Sequence, residues 1–432
     1  MHSVLRMRAF CLAFRPLTRA DQLAHWRDEC VKSLIRHAGA QVPFVRLQLE
    51  LAGVPAAAVQ SVRDLGALPL VSKRQMQDAG ISRVLARNVR SNRLLDRSTS
   101  GSTGERMIVK RTWFEERLLN AFRWRVLREY GLKRRERVAV ALFHRAKDPR
   151  DNQILFRLAQ RVGLRQMLIL DALGDPDSPR AVSAYDPHFL MGMTSAIARL
   201  VEDVKAAGFP FRPRVVVTSG ELLTNSLRER VSVLDSCVRD VYGSNECNFI
   251  AWECPAGLGT YHVCDDAHVV EVLRPDGSPA DIGEWGEIVV TRLFSFAMPL
   301  IRYRIGDLAV RGPAQCACGS PYSTLLAVQG RTIDMFRLAD GRSLHPWEIL
   351  NVIKPYTTGW VRQFQMVQTA PGAIEFRAVA SRPPADHEVA QLLAAAREVL
   401  GTGATFKLTQ VDSVEAFVSG KSRPFVPYDS QP

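Results

Sequence analysis

The sequence predicts an α/β fold, with a large N-terminal domain of mostly parallel sheets and helices and a small α+β C-terminal domain. Helical and extended patterns alternate between residues 113 and 218, and a strand-rich stretch follows the turn residues Asp276, Gly277 and Gly283. Residues 331–432 then remain after a further turn at Gly330. Such alternation is typical of parallel sheets, where ligands bind beyond the carboxyl ends of the strands.

Each part of the chain has its own pattern. Apolar residues recur at helical spacing from Arg19 to Leu51, so residues 1–95 are expected to form a helical N-terminal segment of the large domain. Residues 96–330 form its predicted core, with a long helix from Trp113 to Tyr130. Helices are also expected at residues 153–162 and 194–207, and strands at the apolar runs 137–143, 166–170, 214–218 and 287–291.

Composition limits the function classes. The 432 residues include 57 Lys plus Arg and 44 Asp plus Glu, and the net charge of +13 favours anionic partners such as nucleotides or coenzyme A. The basic run at residues 133–137 has only Tyr130 as a nearby aromatic residue, so nucleic acid is not the expected partner. No apolar run approaches the roughly 18 residues that span a bilayer, and Ala9–Phe14 lacks a cleavage site, so we expect a cytoplasmic protein.

A hydroxyl-rich loop follows the helical segment. It consists of Thr99, Ser100, Gly101, Ser102, Thr103 and Gly104. Two glycines let the backbone turn tightly, and the short hydroxyls can donate to phosphate oxygens. Glu105 stands where a P-loop carries Lys, so this loop is a different kind of phosphate site or a plain surface turn.

Two later motifs place small polar residues and an acid directly after a predicted strand. The first ends in Gly220 and Glu221, and the second runs from Tyr242 through Gly243 to Glu246. Tyr242 offers a ring that can stack on a base, and Glu246 offers a carboxylate for Mg²⁺. The alternative interpretation of each motif is a strand end followed by a helix start.

Three further segments complete an ordered set: Pro299–Asp307, Gly330–Asp334 and Ser419–Lys421. In this order and spacing, the motifs resemble those of the adenylate-forming superfamily, specifically its phenylacetate-CoA ligase and CapK-like branch. The stretch SVRDLGALPLVSK at residues 61–73 also resembles that branch, so the resemblance extends from about Leu23 to Phe425.

The resemblance implies roles for individual residues. The hydroxyl-rich loop would wrap the β- and γ-phosphates of ATP, and Glu246 would coordinate Mg²⁺. The remaining nucleotide contacts would come from Gly220 and Glu221 beside the adenine, Tyr242 stacked on it, Gly243 in the same turn, Asp307 on the ribose hydroxyls and Arg331 nearby. Asp334 would be the hinge of a mobile C-terminal lid, and Lys421 the catalytic lysine that the lid carries into the site.

The implied function is ATP-dependent activation of a small carboxylic acid, with an aryl acid expected, to acyl-AMP and pyrophosphate, followed by transfer to coenzyme A. A carrier-protein thiol or an amine acceptor stays open, as does a homodimer. The acid pocket is assigned to residues near Phe143, His144, Ala297 and Met298. A catalytically reduced nucleotide-binding protein also stays open, because Ile305 replaces a usual Thr and Glu105 adds negative charge near phosphates.

A separate group of side chains has the chemistry of a metal site. Cys254, His262, Cys316 and Cys318 supply three sulfurs and an imidazole, the ligands of a closed tetrahedral Zn²⁺ site. Cys264 and His268 are alternative ligands, and separate reduced thiols are the alternative interpretation. Four protein ligands would leave no open position for catalysis, so the expected zinc is structural.

Overall fold

The computed structural model describes residues 2–98, 107–142, 166–171, 175–221, 236–331, 336–341, 346–357, 360–401, 403–414 and 425–428, with residues 223, 228, 343 and 344. The chain divides into two compact units, Met1–Leu223 with Val231–Gln329, and Thr224–Arg230 with Gly330–Pro432. Each unit buries apolar side chains of its own. No described helix has both the length and the apolar character needed to cross a membrane.

The described helices of the first unit lie mainly in its N-terminal part. They are α1 (His2–Leu12), α2 (Ala20–Gln41), α3 (Pro43–Leu51), α4 (Lys73–Ala79), α5 (Ile81–Val84), α6 (Trp113–Glu129), α7 (Ser178–Tyr185) and α8 (Thr194–Ala206), with 3₁₀ turns at Arg63–Ala67 and Ser91–Arg93. The helices α1 to α5 lie between His2 and Val84, within the segment predicted to be helical. The predicted helix at residues 153–162 lies outside the described residues.

The strands of the first unit form a two-stranded sheet and one large sheet. The small sheet pairs β1 (Leu95–Ser98) with β2 (Ile108–Arg111). The large sheet contains β3 (Arg137–Leu142), β4 (Gln166–Asp171), β5 (Phe189–Met193), β6 (Val215–Ser219), β7 (Cys237–Ser244), β8 (Asn248–Glu253), β9 (Tyr261–Val263), β10 (His268–Leu273), β11 (Trp285–Arg292), β12 (Tyr303–Arg311) and β13 (Thr324–Arg331).

The large sheet joins a parallel half to an antiparallel half. Its order is β10-β11-β12-β13-β9-β8-β7-β6-β5-β3-β4. The strands from β4 to β7 pair in parallel, whereas β7 to β9 and β10 to β12 pair with antiparallel neighbours. The α/β class is confirmed, and the predicted parallel pairing is confined to the part of the sheet whose strands alternate with helices. The antiparallel half corresponds to the strand-rich texture of the sequence.

Local sequence accounts for the best-predicted elements. Val215, Val216 and Val217 of β6 are all buried, as expected for a parallel strand covered on both faces. In α6, the Thr112 side chain accepts from the Glu115 amide and the Glu115 carboxylate accepts from the Thr112 amide, which forms a capping box. The helix ends before Gly131, whose φ of 89° lies in the left-handed region.

Two motif segments of the first unit are held against each other. The Val71 amide donates to the Arg302 carbonyl at 2.9 Å, and the Arg304 amide donates to the Val71 carbonyl at 2.8 Å. The buried Arg302 side chain pairs with Glu271 and donates to the carbonyls of Gly66 and Leu68. These contacts fix the start of β12, the strand that carries Asp307.

The second unit is a small α+β structure. Its described elements are β14 (Phe336–Arg337), β15 (Ser343–Leu344), α9 (Pro346–Thr357), β16 (Val361–Ala370), β17 (Ala373–Ala380), α10 (Asp386–Leu400), β18 (Thr405–Gln410) and β19 (Phe425–Val426). The order β18-β17-β16-β19 combines one antiparallel hairpin with two parallel edge strands. Trp360, Phe376 and Leu392 are fully buried at the centre of its core.

Candidate functional site

Tyr242 and Asp307 contact each other directly. The Tyr242 hydroxyl on β7 donates to Asp307 Oδ2 on β12 at 2.6 Å. Three strands separate β7 from β12 in the sheet order, and strands lie about 4.8 Å apart, so the sheet must curve to bring these side chains together. Burial, together with the Asp307 charge, raises the pKa of Tyr242 well above its ordinary value, so the phenol stays protonated and donates.

Gly243 is required by a close backbone approach. A Cβ atom at this position would lie 2.2 Å from the carbonyl oxygen of Asn248 on the neighbouring strand β8. The register of the β7–β8 pair also shifts between Tyr242 and Gly243. The tight hairpin that follows Tyr242 therefore excludes any larger residue at position 243.

The turn of this hairpin carries Glu246, which is buried at 7% exposure. Arg111 of β2 donates through Nη2 to the Glu246 carbonyl at 2.8 Å and to the Asn245 carbonyl. The Cys247 amide donates to the Ser244 hydroxyl at 3.2 Å. A buried guanidinium and a local side chain thus hold the backbone of the turn, which restricts where the Glu246 side chain can lie.

Gly220 and Glu221 follow β6 at the edge where the parallel strands end. Gly220 has a φ of 75°, which favours glycine. Glu221 Oε2 accepts from the Ser195 amide at 2.7 Å and from the Ser195 hydroxyl at 2.5 Å. The Glu221 carboxylate therefore caps the amino-terminal end of α8.

Several predicted site residues lie outside what the structure describes. They are Thr99, Ser100, Gly101, Ser102, Thr103, Gly104, Asp334 and Lys421, together with Phe143 and His144 of the assigned acid pocket. Arg331 ends β13, but its side chain is not among those described. Of the remaining pocket residues, Ala297 donates its amide to Glu115 Oε1 at 2.9 Å, and Met298 Sδ accepts from the Lys110 amide at 3.4 Å.

The predicted metal ligands form one cluster. The ligand atoms of Cys254, His262, Cys316 and Cys318 all lie within 4.8 Å of one another. The Sγ atoms of Cys254 and Cys316 are 3.8 Å apart, and Cys318 Sγ lies 3.4 Å from His262 Nε2. Zinc with Zn–S bonds of about 2.3 Å has sulfur–sulfur edges near ~3.8 Å, whereas a disulfide needs about 2.05 Å.

The residues present therefore fit a tetrahedral zinc ion. We call these four residues the cysteine–histidine cluster. All four lie in the antiparallel half of the sheet or in its loops, and the three cysteines are free thiols. Burial lowers the pKa of His262 to about 4, so its imidazole is neutral and can act as a ligand at pH 7. The alternative ligands point elsewhere: Cys264 lies against Arg125, and His268 Nε2 lies 3.1 Å from the Phe249 carbonyl oxygen.

Some residues of the site were not predicted. Arg111 holds the Glu246 turn across 135 sequence positions and pairs with Glu116 at 2.9 Å, and Glu115 holds the backbone at Phe296 and Ala297. The only local signal in this segment is the capping box, which explains Glu115 at the helix end and gives no hint of its distant partners.

The fold defines an α/β protein of two units, and the described motifs at Gly220–Glu221, Tyr242–Glu246 and Pro299–Asp307 lie on or next to strands of one mixed sheet. No family model matches the chain. It is 24% identical over 350 residues to the phenylacetate-coenzyme A ligase of Thermus thermophilus, covering 77% of this chain and 75% of that protein. It is 22% identical over 255 residues to Protein CapK of Staphylococcus aureus, covering 57% of this chain and 54% of CapK.

A solved structure extends the comparison to the fold. It is 2-hydroxyisobutyryl-CoA ligase in the postadenylation state, in complex with R3-HIB-AMP, with a TM-score of 0.76 and 19% identity over 93% of this chain and 88% of that chain. This similarity confirms the mixed α/β fold. In sequence the chain is similar to phenylacetate-coenzyme A ligases and to Protein CapK, and in fold it is similar to a CoA ligase.

Proposed function

We propose that this protein is an ATP-dependent, AMP-forming acid–thiol ligase. It would convert a carboxylic acid to acyl-AMP with release of pyrophosphate, and then transfer the acyl group to coenzyme A. The observation that carries the proposal is the 2.6 Å hydrogen bond between Tyr242 and Asp307, two nucleotide-motif residues that are 65 positions apart in the sequence. Relatives and a solved neighbour with ligase names support the same reaction class.

In this proposal, the carboxyl edge of the sheet binds the nucleotide. Tyr242 presents its ring to the adenine while Asp307 accepts from the ribose hydroxyls, and their mutual hydrogen bond fixes both side chains before ATP arrives. The residues Thr99–Gly104 would donate to the β- and γ-phosphates, with Arg331 contributing nearby. Gly243 and Gly220 allow the backbone to approach the ligand closely.

The reaction is an in-line displacement at the α-phosphorus by the substrate carboxylate. Two anions must approach, and negative charge grows on the nonbridging oxygens as pyrophosphate leaves. Glu246 is the residue assigned to hold Mg²⁺, which neutralises phosphate charge when bound. Lys421 would donate to the developing charge, and rotation of the C-terminal lid about Asp334 would separate the adenylating step from thioester formation.

We assign the cysteine–histidine cluster to structural Zn²⁺. The separations of 3.8 Å and 3.4 Å between its ligand atoms fit tetrahedral coordination. The metal would join the loop after β8 to the loop after β12, and the latter strand also carries Asp307. A filled cluster would therefore stabilise the strand that positions the proposed ribose contact. A cytoplasmic location and a homodimer remain expectations.

Pyrophosphate exchange into ATP tests the first half-reaction with a panel of aryl and aliphatic acids. We expect exchange with at least one acid, and a fall of about 100-fold or more in Lys421→Ala, because one preorganised charge-stabilising donor is worth that much. Product analysis with coenzyme A, a phosphopantetheine carrier protein and simple amines identifies the acceptor. Absence of exchange with every acid, at full ATP binding, would instead favour a catalytically reduced nucleotide-binding protein.

A further inference from the structure

Two buried arginines lie close to the Glu246 turn: Arg111 donates to its backbone, and Arg292 interacts electrostatically with Arg111 and Cys247. Arg111 of β2 is 3% exposed and Arg292, the last residue of β11, is 1% exposed. His268, which is opposite Arg292 in the β10–β11 register, and Cys247, directly after Glu246, are also fully buried. We call these four residues the arginine cluster. All of them belong to the first unit.

Arg292 has no hydrogen-bond partner for Nε, Nη1 or Nη2 among the described residues, and Arg111 Nε has none either. Burial, followed by repulsion from the Arg111 charge, lowers the pKa of Arg292 to about 10, so the guanidinium remains charged at pH 7. A buried charge without hydrogen bonds or a counter-ion is strongly unfavourable. Arg292 and Arg111 therefore contribute four buried donor atoms that no described group satisfies.

The nearby carboxylates are already used. Glu116 accepts from Arg97 at 2.8 Å and from Arg111 at 2.9 Å, and these hydrogen bonds, against the effect of burial, lower its pKa to about 2. Glu115 accepts from the amides of Thr112, Phe296 and Ala297. Within the described part of the chain, Glu246 forms no ion pair with either arginine.

The other two members of the cluster are neutral. Burial, with the Arg292 charge next, lowers the pKa of His268 to about 3, and its Nε2 must be protonated to donate to the Phe249 carbonyl. Among the described residues, the Cys247 sulfur forms no hydrogen bond to Arg292. Neither residue supplies the missing negative charge.

We propose that Arg292 and Arg111 bind a carboxylate-sized anionic group close to the Glu246 turn. The planar fork of Arg292 suits bidentate binding of such a group, and Arg111 Nε supplies a further donor. Two sources share this chemistry: a second acidic group on the substrate acid, or a small free anion. The first source rests on the proposed ligase function, and it narrows the substrate class to acids that carry a second anionic group.

Thermal unfolding tests for the free anion without any assay of activity. Sodium formate is compared with sodium gluconate, whose anion is too bulky for a buried site, at equal ionic strength. We expect formate to raise the unfolding midpoint of the wild type by about 2 °C or more, since a ligand that binds only the folded state stabilises it. Arg292→Met should lose this response while unfolding no earlier than the wild type in gluconate.

Two further variants control this measurement. Arg274→Met removes an arginine whose partners, among them Asp281, Glu284 and the Pro279 carbonyl, lie in the nearby turn, and it should keep the full formate response. Arg292→Lys keeps the positive charge but not the planar guanidinium, so it should show a weaker formate response than the wild type. This variant also tests the anion site if Arg292→Met does not fold.

Pyrophosphate exchange tests the second source. Matched monocarboxylic and dicarboxylic acids are compared in the wild type and in Arg292→Met. If the substrate supplies the anion, the wild type prefers a dicarboxylic acid, and the variant lowers kcat/KM for that acid about 30-fold or more while monocarboxylic acids change little.

The outcomes separate the two proposals. A formate response or a dicarboxylate preference that Arg292→Met abolishes supports the anion site and identifies its source. Equal formate responses in wild type and variant, together with no dicarboxylate preference, overturn it. If no acid supports exchange, the ligase proposal fails, and the formate measurement alone decides whether the anion site exists.

Discussion

The first unit buries two arginines in opposite ways. Arg125 of α6 is 2% exposed and forms an ion pair with Asp266, while its guanidinium lies 5.3 Å from the Trp252 ring and 5.2 Å from the Tyr322 ring. Arg292 is equally buried and has no partner among the described residues. The fold itself supplies the partners of Arg125, whereas the unpaired Arg292 guanidinium is the group to which the proposed anion would bind.

The largest effect should come from the paired arginine. Arg125→Met leaves the buried Asp266 carboxylate without its counter-ion, and we expect the free energy of unfolding to fall by about 3–5 kcal/mol. Denaturant unfolding of this variant measures the change directly. Arg292→Met is the matched control, because it removes a charge that has no counter-ion. Equal losses in the two variants would contradict the distinction between them.

Several features of the fold and of the metal site could be predicted from the sequence. The α/β class, the helix from Trp113 and the buried strand at Val215–Val217 follow from local periodicity and capping, which the structure confirms. The grouping of Cys254, His262, Cys316 and Cys318 was also predictable, because these residue types have few other uses in that combination.

Partners that are distant in sequence were not predictable. Arg125 and Asp266 are 141 positions apart, and Arg111 reaches the turn at residues 245 and 246 across a similar separation. An arginine that ends a strand, as Arg292 does, is usually exposed, so no local pattern in the sequence predicts its burial. The prediction of mostly parallel strands covered too much of the sheet for a similar reason. The apolar strands of the antiparallel half have the same sequence pattern as buried parallel strands.

The cysteine–histidine cluster lies between these two cases. The fold brings its four ligands together, and a bound metal ion would join them. We expect purified protein to contain zinc, and chelation to lower the free energy of unfolding by about 2.7 kcal/mol where free zinc had been 100-fold above its Kd. Metal analysis and unfolding with and without a chelator test this. Cys316→Ser should abolish zinc binding, whereas serine at the exposed Cys237 should not. If the purified protein contains no zinc and chelation does not change its unfolding, the cluster is a set of separate reduced thiols and binds no metal.

The smallest effect should come from removing a single hydroxyl. Tyr242→Phe removes the hydrogen bond to Asp307, and we expect a loss of about 1 kcal/mol in the free energy of unfolding. Tyr261→Phe is a matched control, because Tyr261 donates to Asp240 at 2.8 Å outside the proposed nucleotide site. Both variants should lose similar stability, but only Tyr242→Phe should raise the KM for ATP. If the KM for ATP changes equally in the two variants, the assignment of Tyr242 to the nucleotide site is wrong.

The proposed reaction depends most directly on the side-chain carboxylate of Glu246. Pyrophosphate exchange in Glu246→Gln is the measurement that tests it, with Glu287→Gln as a control in which only a surface ion pair with Arg304 is altered. We expect Glu246→Gln to lose exchange by about 100-fold or more while Glu287→Gln retains it. Exchange that is unchanged in Glu246→Gln would contradict the assignment of this turn to adenylate formation.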